Sequence, residues 1–392
     1  MIHHGDSLEV LKTFESNSID ALVTDPPYGL GNTSPANVAA CLQAWISGRD
    51  YQANGSGFMG KEWDSWVPSP NLWKEVYRVL KPGGHGLVFS GSRTEDLMSI
   101  SLRLAGFEVR DRLVWLYGSG FPKSHDVSKA IDKKLGVKRA VIGKESNRGC
   151  MVNNNSMNDY KGEWDITEPA PDEAKKYSGF GTALKPAYEP IILVRKPLDG
   201  TVANNVLKHG VGGLNIDDCR VGTIGGTKKV NVLESKESKT VNAYGNGLNG
   251  GTVHLIKKGR WPANILLDES INDPLLKRYF YCAKASKAER EAGLISNNSI
   301  ANVHPTVKPL DLMRYLCRLI TPPNGTILEP FAGSGTTLCA AALEGFEPIG
   351  IEREAEYIEI IKARLKHWSG GKHDYTDKVE AKPLSGEQLS LF

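Results

Sequence analysis

The chain has 392 residues, six cysteines and a formal net charge of +3. This length corresponds to about two to three domains. No apolar run approaches the ~20 residues of a membrane span, and the N-terminus lacks the basic and apolar regions of a secretory signal. No two cysteines lie closer than 22 residues, which excludes a CxxC zinc or redox site. Unpaired thiols indicate a cytoplasmic protein, and the mild charge neither requires nor forbids nucleic-acid binding.

Strand and helix patterns alternate near the N-terminus. Residues 19–25 predict a short buried strand, which Pro26 and Pro27 end. Residues 71–80 have the apolar spacing of a helix that ends at Lys-Pro-Gly-Gly, and residues 86–90 predict another strand.

The middle of the chain, roughly residues 130–300, has a different composition. Glycine and asparagine accumulate, and Lys and Arg occur in small clusters. We interpret it as loops with one or two inserted subdomains that face the substrate. Each basic cluster taken alone also fits an ordinary solvated surface.

Strand and helix patterns alternate most clearly in the C-terminal part of the chain. Its pattern predicts helices over 310–320, 336–343 and 355–365, and strands over 326–330 and 348–352. Strands that alternate with helices favour a parallel sheet covered on both faces.

A carboxylate, two prolines and an aromatic ring follow the strand over 19–25. This tetrad is Asp25, Pro26, Pro27 and Tyr28. It is expected at the carboxyl edge of the sheet, where open α/β folds bind ligands. Asp25 and the Pro26 carbonyl can each accept one N–H of an NH2 group on a planar substrate, while Tyr28 stacks on the ring. A proline-stiffened turn with a capping Asp is the weaker alternative.

A second chemical motif lies between the strand over 326–330 and the helix over 336–343. Residues 329–337 read Glu-Pro-Phe-Ala-Gly-Ser-Gly-Thr-Thr, and such small residues let a ligand approach amides at a helix N-terminus. Glu352 follows 17 residues after Gly335, where a carboxylate can bind ribose hydroxyls. Leu338 stands where a dinucleotide fingerprint needs a small residue. A nucleoside cofactor without a pyrophosphate therefore fits better than NAD.

Together, the tetrad and residues 331–335 (Phe-Ala-Gly-Ser-Gly) resemble the S-adenosylmethionine-dependent DNA amino-methyltransferases, which modify adenine N6 or cytosine N4. The catalytic motif comes before the cofactor loop, as in the permuted beta class of that family. Residues 304–309 and 183–190 resemble phrases of phage and prophage members. The resemblance covers about residues 1–30, 70–120, 180–200 and 260–368.

The resemblance implies a circularly permuted Rossmann-like methyltransferase, an α/β fold with a doubly wound, mostly parallel sheet and an inserted target-recognition region. Residues 1–5 would then supply the strand that follows the helix over 355–365, so that both chain ends meet in one sheet. Asp6 would contact the cofactor, cap the helix over residues 7–11, or do both. His304 is as readily structural as functional.

The residue roles that the resemblance implies form two sets, and no metal is required. The catalytic set is Asp25, Pro26, Pro27 and Tyr28. The set that contacts S-adenosyl-L-methionine is Asp6, Asp25, Thr306, Lys308, Glu329, Phe331, Ala332, Gly333, Ser334, Gly335, Thr336 and Glu352.

The expected activity is methyl transfer to N6 of a flipped-out adenine in double-stranded DNA. Asp25 in the first position of the tetrad favours adenine, and cytosine N4 is the alternative. An NAD-dependent oxidoreductase or a catalytically silent DNA-binding or regulatory protein are alternatives of other classes. Leu338 and the tetrad argue against the first, and the intact motifs argue against the second.

The predicted organisation of the chain has six parts. They are a catalytic half (1–130), an insert with a DNA-contact candidate (131–180), a return strand (181–200), a target-recognition insert (201–260), a cofactor half (261–368) and a flexible tail (369–392). The protein is a candidate homodimer. The residues predicted to contact DNA are Lys133, Lys134, Lys138 and Arg139.

The C-terminal pentapeptide, residues 388–392, resembles the motif with which bacterial replication proteins dock onto the polymerase sliding clamp. The anchors would be Gln388, Leu389, Leu391 and Phe392. Packing of the last two against the enzyme's own surface is the alternative.

Overall fold

The computed structural model describes residues 1–31, 33–53, 57, 62–118, 120, 124–146, 163–221, 259–268, 279–294, 302, 304 and 306–370. The strands are β1 (Ile2–His4), β2 (Ile19–Thr24), β3 (Leu80–Phe89), β4 (Glu108–Leu116), β5 (Ala140–Ser146), β6 (Glu163–Glu168), β7 (Tyr188–Arg195), β8 (Ile265–Leu267), β9 (Phe280–Tyr281), β10 (Thr326–Glu329) and β11 (Glu347–Glu352). The helices are α1 (Ser7–Leu11), α2 (Pro35–Ile46), α3 (Pro70–Val79), α4 (Glu95–Leu104), α5 (Val127–Leu135), α6 (Asp172–Lys176), α7 (Val202–His209), α8 (Lys287–Arg290), α9 (Leu310–Ile320), α10 (Thr336–Leu343) and α11 (Ala355–Trp368).

Strands from both ends of the chain lie side by side in the main sheet. Its order over the described residues is β1-β11-β10-β2-β3-β7-β4-β8-β9. The C-terminal strands β10 and β11 lie between β1 and β2, with Ile2 opposite Gly350 and Ile327 opposite Ala21. Every pairing is parallel except those of β7, which runs antiparallel to β3 and β4. The predicted mostly parallel sheet and the meeting of both chain ends are therefore confirmed.

Side chains of β2 alternate between the two faces of the sheet and so build two cores. Ala21 and Val23 pack with apolar residues of α9, α10 and α11, while Leu22 packs with those of α1, α3 and α4. Strands buried on both faces read as continuous apolar runs, which is why residues 19–25 are recognisable as a strand.

One strand starts earlier than its sequence suggests. The sequence predicts that Lys81–Gly84 ends the preceding helix, yet α3 already ends at Val79 and Leu80 pairs with Ile19. The next residue paired with β2 is His85, opposite Ala21, so the Lys-Pro-Gly-Gly run forms a bulge inside β3. A proline and two glycines fit a bulge, because ladder hydrogen bonding is interrupted there.

The insert between β4 and β7 lies at the carboxyl edge of the sheet. The chain leaves β4 after Leu116 and enters the antiparallel β7 at Tyr188, and these two residues are register partners. The described part of residues 117–187 contains α5, α6 and a separate two-stranded sheet of β5 and β6. The candidate DNA-contact insert therefore starts and ends at the same edge as Asp25, which directly follows β2.

The next insert starts and ends at the opposite edge. Residues 196–264 connect the end of β7 with the start of β8, both at the amino edge of the parallel strands. In its described part, Asn205 of α7 donates a hydrogen bond to the carbonyl of Pro82 at 2.8 Å. The predicted target-recognition insert 201–260 thus has its described residues away from the pocket edge, and residues 222–258 lie outside the described part.

The range 261–368, predicted as a cofactor half, is divided between distant parts of the sheet. Val114 of β4 is paired with Ile265, so β8 and β9 extend the far end of the sheet, while β10 and β11 lie near the other end. Segments of two or three strand residues carry too little periodicity to be placed from sequence.

The predicted tail, including Gln388, Leu389, Leu391 and Phe392, lies outside the described residues apart from 369–370. Its proposed docking on a clamp therefore stays a prediction. Within the described ranges, no helix is both long enough and apolar enough to span a bilayer.

Candidate active site

The backbone of the tetrad is fixed by polar side chains from neighbouring segments. Asp64 accepts hydrogen bonds from the amides of Tyr28 and Gly29 at 2.8 and 3.1 Å, and Thr94 Oγ1 donates to the Tyr28 carbonyl at 2.5 Å. Gly29 has φ of +66°, and a Cβ there would meet the Val67 amide nitrogen at 2.7 Å. The turn after β2 therefore requires glycine next to Tyr28.

The side chains of the tetrad join a buried polar cluster. The Tyr28 hydroxyl lies 2.9 Å from Asp25 Oδ1 and 3.1 Å from Glu189 Oε2, either of which accepts its proton. Lys308 Nζ donates to Asp25 Oδ2 at 2.7 Å and to the Tyr28 oxygen at 3.0 Å. Burial, together with the two neighbouring carboxylates, raises the pKa of Tyr28 well above its usual value, so the phenol keeps its proton.

Lys308 stays charged in this environment. Burial alone would lower its pKa, but the charges of Asp25 and Glu189 outweigh that effect and raise it. The sequence assigned Lys308 and Thr306 to the cofactor. The structure places the Lys308 ammonium against the carboxylate of Asp25, whereas Thr306 is exposed and its carbonyl contacts His304 Nδ1 at 2.5 Å.

The small-residue loop after β10 is held at three points. The amide of Gly333 donates to Glu352 Oε2 at 2.6 Å, and Gly335 is the N-cap of α10. Arg364 of α11 donates to the carbonyl of Ser334 at 2.6 Å and to the hydroxyl of Thr336 at 3.0 Å. The loop therefore presents a preorganised helix N-terminus, with the Glu352 carboxylate beside it, as a nucleoside-cofactor site requires.

Glu329 links the two motifs through hydrogen bonds. Its carboxyl accepts from Thr24 Oγ1 at 2.5 Å, from Thr337 Oγ1 at 2.8 Å and from the amide of Phe331 at 3.0 Å. Burial raises its pKa to about 8, against the lowering effect of these donors. Because Thr24 directly precedes Asp25, this carboxyl positions the catalytic turn relative to the cofactor loop.

Replacing Glu329 with glutamine is expected to flatten the pH dependence of stability. The folded pKa of about 8 exceeds the ordinary value of 4.5, so the carboxyl ionises more readily in the unfolded chain. Wild-type stability should therefore fall relative to Glu329→Gln as the pH rises from about 4.5 to about 8. Denaturant titrations across this interval measure the difference, and parallel profiles would contradict a protonated Glu329.

The remaining predicted cofactor residues lie around the same loop. Asp6 caps α1, accepting from the amides of Leu8 and Glu9, which confirms its capping role and leaves cofactor contact a prediction. Phe331 packs edge to face against Trp73, and Ala332 is buried in the opposite core.

His304 packs against the cofactor loop. A Cβ on Gly333 would meet its Nε2 at 2.8 Å, and its ring also contacts Tyr357 edge to face. Burial lowers the pKa of His304 to about 4, so the ring is neutral. The structure therefore gives His304 a packing role.

The four predicted DNA-contact residues divide into two kinds. Lys133, Lys134 and Lys138 are exposed. Arg139 is mostly buried and lies 3.3 Å from the buried carboxylate of Asp132. Arg139 is therefore paired within the insert, and its contact with DNA stays a prediction.

Sequence reasoning missed several residues that build the site. Glu189 belongs to the quoted run 183–190, yet its carboxylate received no role. Asp64, Thr94 and Arg364 follow no local pattern, because each acts on a segment that is distant in the chain. Only the register of β7 beside β3 and β4 brings Glu189 to Tyr28.

The tetrad and the small-residue loop lie side by side at the carboxyl edge of a mostly parallel sheet, where α/β enzymes bind their ligands. Residues 19–363 match the family model N6_N4_Mtase, described as DNA methylase, and the chain belongs to that family. It is a DNA methyltransferase, and S-adenosyl-L-methionine is its methyl donor.

Individual relatives match over nearly the whole chain. The type II methyltransferase M.HindIII of Haemophilus influenzae is 26% identical, covering 93% of this chain and 94% of the relative. The DNA adenine methyltransferase YhdJ of Escherichia coli K12 is 23% identical, with coverage of 93% and 82%. The structure of TTHA0409 from Thermus thermophilus complexed with S-adenosyl-L-methionine has 18% identity and a TM-score of 0.40, with coverage of 94% and 96%.

Proposed function

We propose that the protein methylates N6 of adenine at a specific site in double-stranded DNA. The observation that carries the proposal is the Asp25–Tyr28 turn, which places a carboxylate and an aromatic ring beside the loop over residues 331–335. Asp25 in the first position of the tetrad supports adenine, as does the similarity to YhdJ. Methylation of cytosine N4 is the second candidate, because that base carries the same kind of ring-conjugated amine.

The tetrad has a definite task in this proposal. An exocyclic amine is a weak nucleophile, because its lone pair is delocalised into the ring. Asp25 and the Pro26 carbonyl accept its two N–H bonds and so direct the lone pair outward, while Tyr28 stacks on the flipped base. S-adenosyl-L-methionine, when bound, supplies a methyl group already activated by its sulfonium. Asp25 is also the carboxylate nearest to the proton that the methylated nitrogen loses.

Nucleoside analysis tests the choice of base. The purified protein is incubated with unmethylated duplex DNA and S-adenosyl-L-methionine, and the digested DNA is analysed by mass spectrometry. N6-methyladenine is the expected product. N4-methylcytosine alone would overturn the adenine assignment, and unmodified DNA would overturn the proposed function.

The insert at the carboxyl edge is proposed to contact the DNA backbone. Lys133, Lys134 and Lys138 are exposed in this insert, whose two ends lie at the carboxyl edge of the sheet. Replacing all three with glutamine should weaken DNA binding and lower the slope of log K against log salt by about one unit for each phosphate that is no longer neutralised. Fluorescence anisotropy at several salt concentrations measures this slope.

The matched control for this prediction replaces three exposed lysines outside the insert, one at the C-terminal end of α1 and two on α3 and α11. These are Lys12, Lys74 and Lys366. The control carries the same change of net charge and should keep the wild-type slope. Equal slopes for the two triple variants would show that the insert lysines do not contact DNA phosphates.

Two further proposals rest on the sequence. Residues 388–392 would dock onto the sliding clamp through a flexible tail that presents apolar anchors. Cytoplasmic association with the nucleoid would follow from the DNA substrate.

A further inference from the structure

The ammonium of Lys308 is buried in the active site with three acceptors around it. Its Nζ lies 2.7 Å from Asp25 Oδ2, 3.0 Å from the Tyr28 oxygen and 3.2 Å from Glu189 Oε2. An ammonium carries three N–H donors, so each donor has one partner. A buried charge is tolerated when it is paired in this way. Lys308 is therefore fixed beside the carboxylate that accepts the target amine.

Lys308 leaves the face of the Tyr28 ring open. Its Nζ is 5.3 Å from the ring centre but 3.0 Å from the hydroxyl oxygen. These two distances place the ammonium beyond the hydroxyl, at the edge of the ring. A base stacked on Tyr28 would therefore direct its polar edge towards Asp25 and Lys308.

Asp25 provides a hydrogen-bond acceptor and Lys308 an adjacent donor. This pair matches only bases that carry a donor beside an acceptor on the edge that faces it. Adenine carries its amine beside the ring acceptor N1, and cytosine carries its amine beside the ring acceptor N3. Guanine and thymine have the reverse order on this edge, a carbonyl acceptor beside a ring N–H donor. Enzymes that flip a base read this Watson–Crick edge with hydrogen bonds.

We propose that Lys308 donates a hydrogen bond to the ring nitrogen next to the target amine while Asp25 accepts the amine N–H. The pair accepts adenine or cytosine and rejects guanine and thymine. This inference rests on the proposed function and names the residue that reads the target base.

Glu189 is the partner of Lys308 that we expect the base to replace. Glu189 is the most distant of the three acceptors around Lys308, and its carboxylate also contacts the Tyr28 hydroxyl at 3.1 Å. The ring nitrogen can take its place as the third acceptor, since Glu189 keeps its hydrogen bond with Tyr28. Glu189 is then a positioning residue, which holds Lys308 and Tyr28 in place.

The test combines a protein variant with a base analogue. Wild type and Lys308→Met are assayed on duplexes that contain the natural target base or its deaza analogue, in which a C–H replaces the ring nitrogen beside the amine. A hydrogen bond from a charged donor corresponds to about a ten- to hundred-fold effect. We expect wild-type kcat/KM to fall by this factor on the analogue, and Lys308→Met to show the same low kcat/KM on both duplexes.

A charge-balanced variant keeps the test valid if Lys308→Met fails to fold. Lys308→Met/Glu189→Gln removes one positive and one negative charge, and it should equally lose discrimination between the two duplexes. The affinity of both variants for S-adenosyl-L-methionine, measured by calorimetry, should stay within a few-fold of wild type.

The experiment distinguishes a wrong role for Lys308 from a wrong proposed function. Equal wild-type rates on the two duplexes would overturn the inference and leave the proposed function intact. The inference would also be overturned if Lys308→Met lost most of its cofactor affinity but still discriminated between the two duplexes as wild type does. That result would assign Lys308 to the cofactor. Absence of methylation by wild type on the natural duplex would overturn both claims.

Discussion

Replacing Asp25 with alanine is expected to lower kcat for DNA methylation by at least about 10²- to 10³-fold. In the proposed function Asp25 accepts an N–H of the target amine, and its Oδ2 accepts a hydrogen bond from Lys308 at 2.7 Å. An interaction made mainly in the transition state lowers kcat without a matching loss of ground-state binding. The affinity for S-adenosyl-L-methionine should therefore stay within a few-fold of wild type. Single-turnover kinetics and cofactor calorimetry measure the two quantities separately.

Asp25→Asn is the matched variant for this prediction. It preserves the shape of the side chain and an acceptor oxygen, while Glu189 still pairs with Lys308. We expect a large loss of kcat with a melting temperature closer to wild type than that of Asp25→Ala. A rate above about one tenth of wild type in both variants would contradict a catalytic role for the carboxylate.

Replacing Gly333 with alanine is expected to weaken S-adenosyl-L-methionine binding by at least about tenfold, or about 1.4 kcal/mol. Gly333 has φ of +51°, and its amide is held by Glu352 at 2.6 Å. An added Cβ would meet His304 Nε2 at 2.8 Å. Either the His304 ring or the loop must then move, and both border the proposed cofactor site. Calorimetric titration with the cofactor measures the loss.

Gly345→Ala is the control for the backbone effect. Gly345 also has positive φ, +82°, but a Cβ there would meet nothing within 4 Å. Both variants carry the conformational cost of a non-glycine residue in the left-handed region, about 1–2 kcal/mol. Only Gly333→Ala should lose cofactor affinity. Equal cofactor affinities in the two variants would exclude the loop around Gly333 from the cofactor site.

The elements that sequence reasoning predicted well are those with a strong periodic pattern. The helices α9 and α10 have the predicted bounds, 310–320 and 336–343. Their apolar residues recur at helical spacing, and the small-residue loop before α10 marks its start. The position of residues 1–5 beside β11 came from the family resemblance, because three strand residues carry no usable period.

The contacts that sequence reasoning missed depend on how the chain folds. Arg139 reads as one more basic residue, and only the fold of the insert shows that Asp132 pairs with it. The family resemblance assigned Lys308 to the cofactor, which stays a prediction, and no sequence pattern indicated its contact with Asp25, 283 residues away in the chain. Glu189 reaches the site through an antiparallel strand, whose insertion between β3 and β4 no local pattern encodes.

The two inserts also could not be distinguished by composition. Both are rich in polar residues, but the chain enters and leaves one at the carboxyl edge and the other at the amino edge. The direction of β7 decides this, because an antiparallel strand starts where its parallel neighbours end. Residues 117–187 are therefore the better-placed candidates for DNA contact beside the active site.

The most direct measurement is modification-sensitive long-read sequencing of DNA from cells that express either wild type or Asp25→Ala. In the proposed function, the Asp25–Tyr28 turn catalyses methyl transfer from S-adenosyl-L-methionine to an adenine in a specific DNA sequence. The expected result is one short sequence motif modified at adenine N6 in nearly all copies with wild type and unmodified with the variant. Unmodified DNA from cells that contain folded wild-type protein, or equal modification with both proteins, would contradict the claim.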